Sequence, residues 1–343
     1  MNDLLDQARQ GNTRAIARLI SLVENDAAAA RQVTSGLYKF TGKAHVVGIT
    51  GSPGCGKSTL VNEMALRMDS GAQSVGIIAV DPSSPFTGGA LLGDRVRMAG
   101  IATRKDIFMR SMASRGNLGG LAEATSTAIK ILDAAGFDTI IVETVGAGQA
   151  EVDIASVAHT VLVVEAPDSG DEVQTFKAGI MEIADIFVVN KADRPSASRT
   201  VRALEMMLHI GSPVITGHHT QEHPGQEEKI ESAPHRSAQN TAESWAIPVL
   251  ETIARDGKGI DELLLKLAVH KAYLHAGGEW YKREVRRSRR EIERIMQNQI
   301  ISRTVQNVLP QKRDRVVTSV ANREMDPYTA ADELFDLANR YPP

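Results

Sequence analysis

The sequence has a single cysteine, Cys55, among its 343 residues. An intramolecular disulfide and a multi-cysteine metal site are both excluded, which fits a reducing compartment. No apolar stretch approaches the ~20 residues needed to cross a bilayer. The start, Met1-Asn2-Asp3-Leu4-Leu5-Asp6, has no basic segment followed by an apolar one, so no secretory leader is expected. Charge of one sign is lacking too: 39 Lys and Arg against 42 Asp and Glu leave −3, too little to draw the chain toward nucleic acid or an anionic membrane. A cytoplasmic, soluble protein with no nucleic acid and no membrane among its partners is expected. With 42% hydrophobic residues, the chain is globular and long enough for one large or two modest domains.

The most informative segment is Gly51-Ser52-Pro53-Gly54-Cys55-Gly56-Lys57-Ser58, which satisfies G-x-x-x-x-G-K-[ST]. It follows the apolar run His45 to Thr50 and precedes the helix-like Thr59 to Leu66, as a phosphate-binding P-loop requires. Glycines let backbone N–H groups turn inward, and the following helix presents its positive end. Lys57 reaches toward the β- and γ-phosphates, and the Ser58 hydroxyl can ligate Mg²⁺.

Around this loop the chain reads as three parts. Residues 1–42 form an N-terminal helical extension, with Ile16, Leu19, Ile20 and Val23 at helical spacing. Residues 43–270 alternate short β-branched runs with helical patterns, the runs after the first being 75–80, 139–142, 160–164, 186–189 and 247–250. Such alternation predicts an α/β domain with a mostly parallel sheet covered by helices on both faces. A crossover helix over 118–135 is expected between the second and third of these strands. Residues 271–343 lack strands; Glu291 to Leu309 reads as a long amphipathic helix ended by Pro310, whose apolar stripe suits a homodimer interface. The basic run 282–290 is interleaved with glutamates and reads as a solvated helix face.

Asn190-Lys191-Ala192-Asp193 follows the run 186–189 and has the N-K-x-D form of a guanine reader. A carboxylate at Asp193 accepts from N1–H and the 2-amino group of guanine, which adenine cannot supply. GTP and GDP are therefore expected rather than ATP. The last loop over the base would be Glu251 to Ile260, a weaker match in which Ile253 and Ala254 lie against the nucleotide. For Mg²⁺, the oxygen donors are Ser58, Asp81 and Asp94, with Glu143 where a Walker B aspartate is more usual. Gly146 is placed to sense the γ-phosphate.

The string Asp81 to Met98, then Glu143-Thr144-Val145-Gly146-Ala147-Gly148-Gln149-Ala150-Glu151, then Gly179 to Asp185 leading into Asn190-Lys191-Ala192-Asp193, resembles the MeaB/ArgK family of SIMIBI-class P-loop GTPases. The likeness covers nearly the whole chain and is weakest in 211–245. It implies a GTP-hydrolysing chaperone that gates cofactor loading and protects an adenosylcobalamin-dependent acyl-CoA mutase, methylmalonyl-CoA mutase by default. It also implies a homodimer built through the C-terminal helical arm. In that family the loop after the strand 160–164 acts as an extra switch, which maps to Asp168 to Lys177 and makes Gln174 and Lys177 candidates, with Lys57 and Glu143, for catalysis. Ala147 stands where a Ras-type GTPase has its catalytic glutamine, so slow intrinsic turnover raised by the partner is expected.

Two rival classes share parts of this pattern. A GTPase metallochaperone delivering nickel or zinc draws on His209, His218, His219, His223 and His235, yet the one cysteine is inside the P-loop and 210–244 reads more simply as a solvated insertion. A P-loop kinase would have no use for N-K-x-D.

Overall fold

The computed structural model describes residues 1–81, 101, 104–113, 123–144, 153–167, 178–210 and 245–340. Three short helices lead the chain: α1 (Asn2–Arg9), α2 (Thr13–Asn25) and α3 (Ala27–Leu37). Asn12 starts α2 by accepting from the backbone N–H groups of Arg14 and Ala15, and Asp26 starts α3 by accepting from Ala28. The α/β region then runs β1 (His45–Gly51), α4 (Lys57–Ser70), β2 (Val75–Asp81), β3 (Ile107–Ala113), α5 (Glu123–Ala134), β4 (Thr139–Thr144), β5 (Thr160–Glu165), α6 (Ala178–Ile183), β6 (Ile186–Asn190), α7 (Ala197–Ile210), β7 (Val249–Thr252) and α8 (Ile260–Ala276). Three further helices follow: α9 (Glu279–Asn307), α10 (Pro310–Ala321) and α11 (Pro327–Arg340).

The strands form one seven-stranded sheet in the order β3-β2-β4-β1-β5-β6-β7, with every neighbouring pair parallel. A parallel sheet wrapped on both faces buries both sides of each strand, and β1, β4, β5 and β6 are buried along their whole length. Alternate residues serve opposite layers. Val46, Ile140, Val142, Val161 and Val163 belong to the apolar layer that includes α2, α3 and α5, whereas Val47, Ile49, Ile141, Leu162 and Val164 belong to the layer that includes α4 and α8. The N-terminal helices are part of the first layer through Ile16, Leu19, Ile20 and Val23. Asp133 on α5 accepts from the backbone N–H groups of Gly42, Lys43 and Ala44, fixing the entry to β1.

The sequence reading passed over β3. Ile107-Phe108-Met109-Arg110-Ser111-Met112-Ala113 has one β-branched residue and a charged centre, because as the outermost strand it is only partly covered. Arg110 turns that position to use by pairing with Glu24 of α2 at 2.7 Å. The crossover helix α5 consequently connects β3 to β4, and Glu143 lies on the fourth strand rather than the third. The last strand lies two residues later than expected, at Val249–Thr252.

The chain divides into two compact units, Met1–Arg283 and Glu284–Pro343. At the N-terminal ends of β1 and β5, the first unit buries a polar network. Nε2 of His45 and Nδ1 of His270 lie 2.7 and 2.9 Å from Thr160 Oγ1, and Asp185 takes a bidentate ion pair from Arg283 at 2.8 Å. Arg283 therefore leaves the solvated face assigned to its basic run. Within the second unit α10 packs on α11, and Ile292, Met296 and Ile300 are exposed at successive i+4 positions on α9. The helix starts earlier than the amphipathic pattern indicated and ends at Asn307, while Pro310 opens α10 instead of merely stopping its predecessor. No helix among the described residues is long and apolar enough to cross a membrane.

Candidate functional site

The central strand β1 runs straight into the P-loop, at the C-terminal edge of the sheet where α/β folds bind ligands. Gly51 has φ +135°, and a Cβ there would lie 1.9 Å from the Val164 carbonyl oxygen of β5, so only glycine fits. Gly56, at φ +97°, starts α4 in the left-handed region, and a side chain there would strike the Asn190 amide at 2.4 Å. Lys57 is buried, and its Nζ donates to the carbonyls of Gly51 at 2.8 Å and Ser52 at 3.0 Å. Its third donor faces Cys55 Sγ at 4.0 Å, a weak acceptor that a phosphate oxygen would displace. Cys55 is buried beneath the loop; burial pushes its thiol up to about 11, with Lys57 opposing, and the side chain is packing rather than a nucleophile. Pro53, Gly54 and Thr59 line the exposed rim of the loop and the first turn of α4.

On one flank, Ser58 Oγ donates to Glu143 Oε1 at 2.6 Å. Glu143 is buried on β4 opposite Ile49, and beside it Thr144 Oγ1 donates to Thr50 Oγ1 at 3.1 Å. Asp81 closes β2 at the same sheet edge. A hydroxyl and a carboxylate in contact at the head of α4 form the hard-oxygen donor set that suits Mg²⁺. Asp94, Gly146, Gln174 and Lys177 lie outside the described residues.

On the other flank, the N-K-x-D segment follows β6. The buried Asn190 donates from Nδ2 to the Cys55 carbonyl at 2.8 Å, while its Oδ1 accepts from Ala254 N at 3.0 Å and Thr252 Oγ1 at 3.2 Å. Lys191, at φ +59°, lays its Nζ on the Gly54 carbonyl at 2.6 Å. Asp193 is exposed, with Arg255 Nη2 3.9 Å from its carboxylate. The last loop is closed by a bridge between Ile253 and Lys258, and α4 holds it from outside through Arg67, which donates to the Gly257 carbonyl at 2.8 Å and pairs with Asp261 at 3.0 Å. The structure thus brings P-loop, N-K-x-D and last loop together through one asparagine.

Three participants escaped the sequence reading. Thr252 and Arg255 lay inside the weakly matching last loop, and Glu165 lies in no motif; a lone acid ending the apolar run of β5 was the available signal. Glu165 Oε2 accepts from Ser52 Oγ at 2.9 Å. Of the histidines considered for metal delivery, His209 sits on α7 with Nδ1 2.7 Å from the Glu205 carbonyl, and the other four lie outside the described residues.

A parallel sheet with a P-loop after its central strand and an N-K-x-D reader beside it defines a P-loop GTPase. The family model of the methylmalonyl-CoA mutase-associated GTPase MeaB matches residues 16–308, and the chain belongs to that family. A protein of Pyrococcus horikoshii that carries a GTPase name is 45% identical over 336 residues, covering 98% of each chain. The GTPase ArgK of Escherichia coli is 29% identical over 334 residues, covering 96% of this chain and 94% of its own. A fused isobutyryl-CoA mutase of Geobacillus kaustophilus is 35% identical over 215 residues, which span 60% of this chain and 20% of the larger one. The solved structure of a LAO/AO transport system kinase shares the fold, with a TM-score of 0.67 at 23% identity over 98% of this chain and 97% of that one. The protein binds guanine nucleotide and hydrolyses GTP.

Proposed function

We propose that the protein is a GTP-dependent chaperone of an adenosylcobalamin-dependent acyl-CoA mutase, most simply methylmalonyl-CoA mutase, whose cofactor loading it gates. The observation that supports this most is the fused isobutyryl-CoA mutase, in which a segment like this GTPase is joined to a mutase in one chain. Fusion gives two activities a fixed high effective concentration, which is useful only where they work on each other.

In this reading the backbone amides of Gly54 to Ser58, the positive end of α4 and Lys57 hold the phosphates, and Asp193 accepts the two guanine donors. Ile253 and Ala254 cover the base edge, held in place by Asn190. Mg²⁺ would be held by Ser58 with Glu143, Asp81 and Asp94, and when bound it offsets charge on the β- and γ-phosphates. Gly146 follows the γ-phosphate. Gln174 and Lys177 are brought to the site by the partner, Lys177 adding positive charge where the phosphoryl group carries negative charge. A homodimer through the C-terminal arm gives the Ile292, Met296 and Ile300 stripe its partner.

The test is complex formation. Mixed with a purified acyl-CoA mutase and a non-hydrolysable GTP analogue, the full-length protein should co-elute with the mutase on size exclusion, and separate elution at micromolar concentrations would count against the proposal.

A further inference from the structure

The strands on either side of β1 each carry a glutamate at their C-terminal ends, Glu143 one residue before the end of β4 and Glu165 at the end of β5, and the magnesium side of the site uses only Glu143. Glu165 closes β5, whose register with β1 sets Val164 opposite Gly51, so the carboxylate stands one residue beyond the start of the P-loop. It is 5% exposed and is tied to the loop by the hydrogen bond from Ser52 Oγ. The backbone carbonyl of the same Ser52 accepts from Lys57 Nζ. Its charge reaches the inside of the loop: after burial itself, and against the opposing Lys57, Glu165 adds to the rise of the Cys55 thiol. A buried anion therefore sits behind the loop that must hold the multiply charged phosphates of a nucleotide.

We propose that Glu165 sets nucleotide affinity, its buried charge, tethered through Ser52, weakening phosphate binding and speeding release so that GDP leaves without a separate exchange protein. Like charges separated by protein rather than water repel more strongly than across water. Burial prevents screening by salt, and the serine hydroxyl keeps the carboxylate from swinging away. Glu165 offsets part of the attraction supplied by Lys57 and Lys191, the two ammonium groups held on loop carbonyls.

The inference rests on the P-loop being the nucleotide site, which Lys57→Ala tests separately by abolishing binding. Release of a fluorescent GDP analogue from the full-length protein, followed after mixing with excess GDP, tests the proposal itself. Glu165→Gln keeps a hydrogen-bond acceptor for Ser52 but removes the charge, and should slow release and tighten GDP binding by roughly tenfold. Glu165→Met, which removes both, should slow it similarly, and it serves if the glutamine variant does not fold. Unchanged or faster release in both Glu165 variants would overturn the proposal. So would wild-type release by the glutamine variant with altered release by the methionine one, since the hydrogen bond alone would then matter.

Discussion

The side-chain amide of Asn190 donates to the Cys55 carbonyl at 2.8 Å, so the end of β6 holds the middle of the P-loop. Because its other amide atom accepts from Ala254 N, the same residue also fixes the last loop. Asn190→Ala would leave a buried Ala254 N–H and the Cys55 carbonyl without this partner, at about 1–3 kcal/mol. Urea denaturation should show a loss in that range, and isothermal titration should show weaker GDP binding. Loss of stability with unchanged GDP affinity would confine Asn190 to the fold.

Asp193 is exposed, with Arg255 Nη2 3.9 Å from its carboxylate, and in the proposed reading it meets the guanine edge. Asp193→Asn replaces an acceptor with a group that also donates, against a base edge that offers donors. Competition binding should show GTP affinity falling on the order of 10²-fold and the preference moving toward XTP. Retained selectivity for GTP would remove Asp193 from the base site.

Much of this site was legible because its chemistry lies in contiguous spacing: residues 51–58 and 190–193 declare themselves, and the buried runs of β1, β4, β5 and β6 predicted the parallel sheet. What stayed hidden depends on residues far apart in the chain. Glu165 touches Ser52 only because β5 lies beside β1, and Arg283 meets Asp185 across 98 positions of the chain, within the first unit. The strand β3 was hidden because an outermost strand with Arg110 at its centre carries neither a β-branched run nor a clean alternation.

The network at the far end of the sheet gives an acid dependence. Burial first, then the charges of His159, Lys271 and His270, lower the His45 pKa to about 2, with Asp185 opposing. A depressed folded value means the unfolded chain takes up the proton first, so this contribution is complete above about pH 6.5 and falls as pH drops toward 2, by up to about 1.4 kcal/mol per pH unit. Burial opposes ionisation of Asp185, but hydrogen bonds and charge from Arg283, then His270, more than offset it, and its carboxyl is held below the usual range. That second loss begins only as pH falls below about 4. Urea denaturation across pH 7 to 4 should therefore give a shallower slope for His45→Gln than for wild type; equal slopes would mean His45 protonates freely in the fold.

On α9, Ile292, Met296 and Ile300 form an exposed apolar line at a spacing that keeps them on one helix face. Replacing all three with glutamate should convert dimers to monomers in light scattering while the GTPase unit stays folded by circular dichroism. A full-length wild-type monomer would remove the dimer from the account, and a dimer that survives the triple change would place the interface elsewhere.

The most direct test of the functional account is steady-state GTP hydrolysis by the full-length protein with and without a purified adenosylcobalamin-dependent acyl-CoA mutase. The account predicts slow turnover alone and a saturable rise with added mutase; positive charge placed on the transferring phosphoryl group can be worth ~10³–10⁵ in related reactions, so a partial effect is measurable. Most of that rise should vanish in Lys177→Ala. A rate unchanged by methylmalonyl-, isobutyryl-, ethylmalonyl- and hydroxyisobutyryl-CoA mutases alike would contradict it.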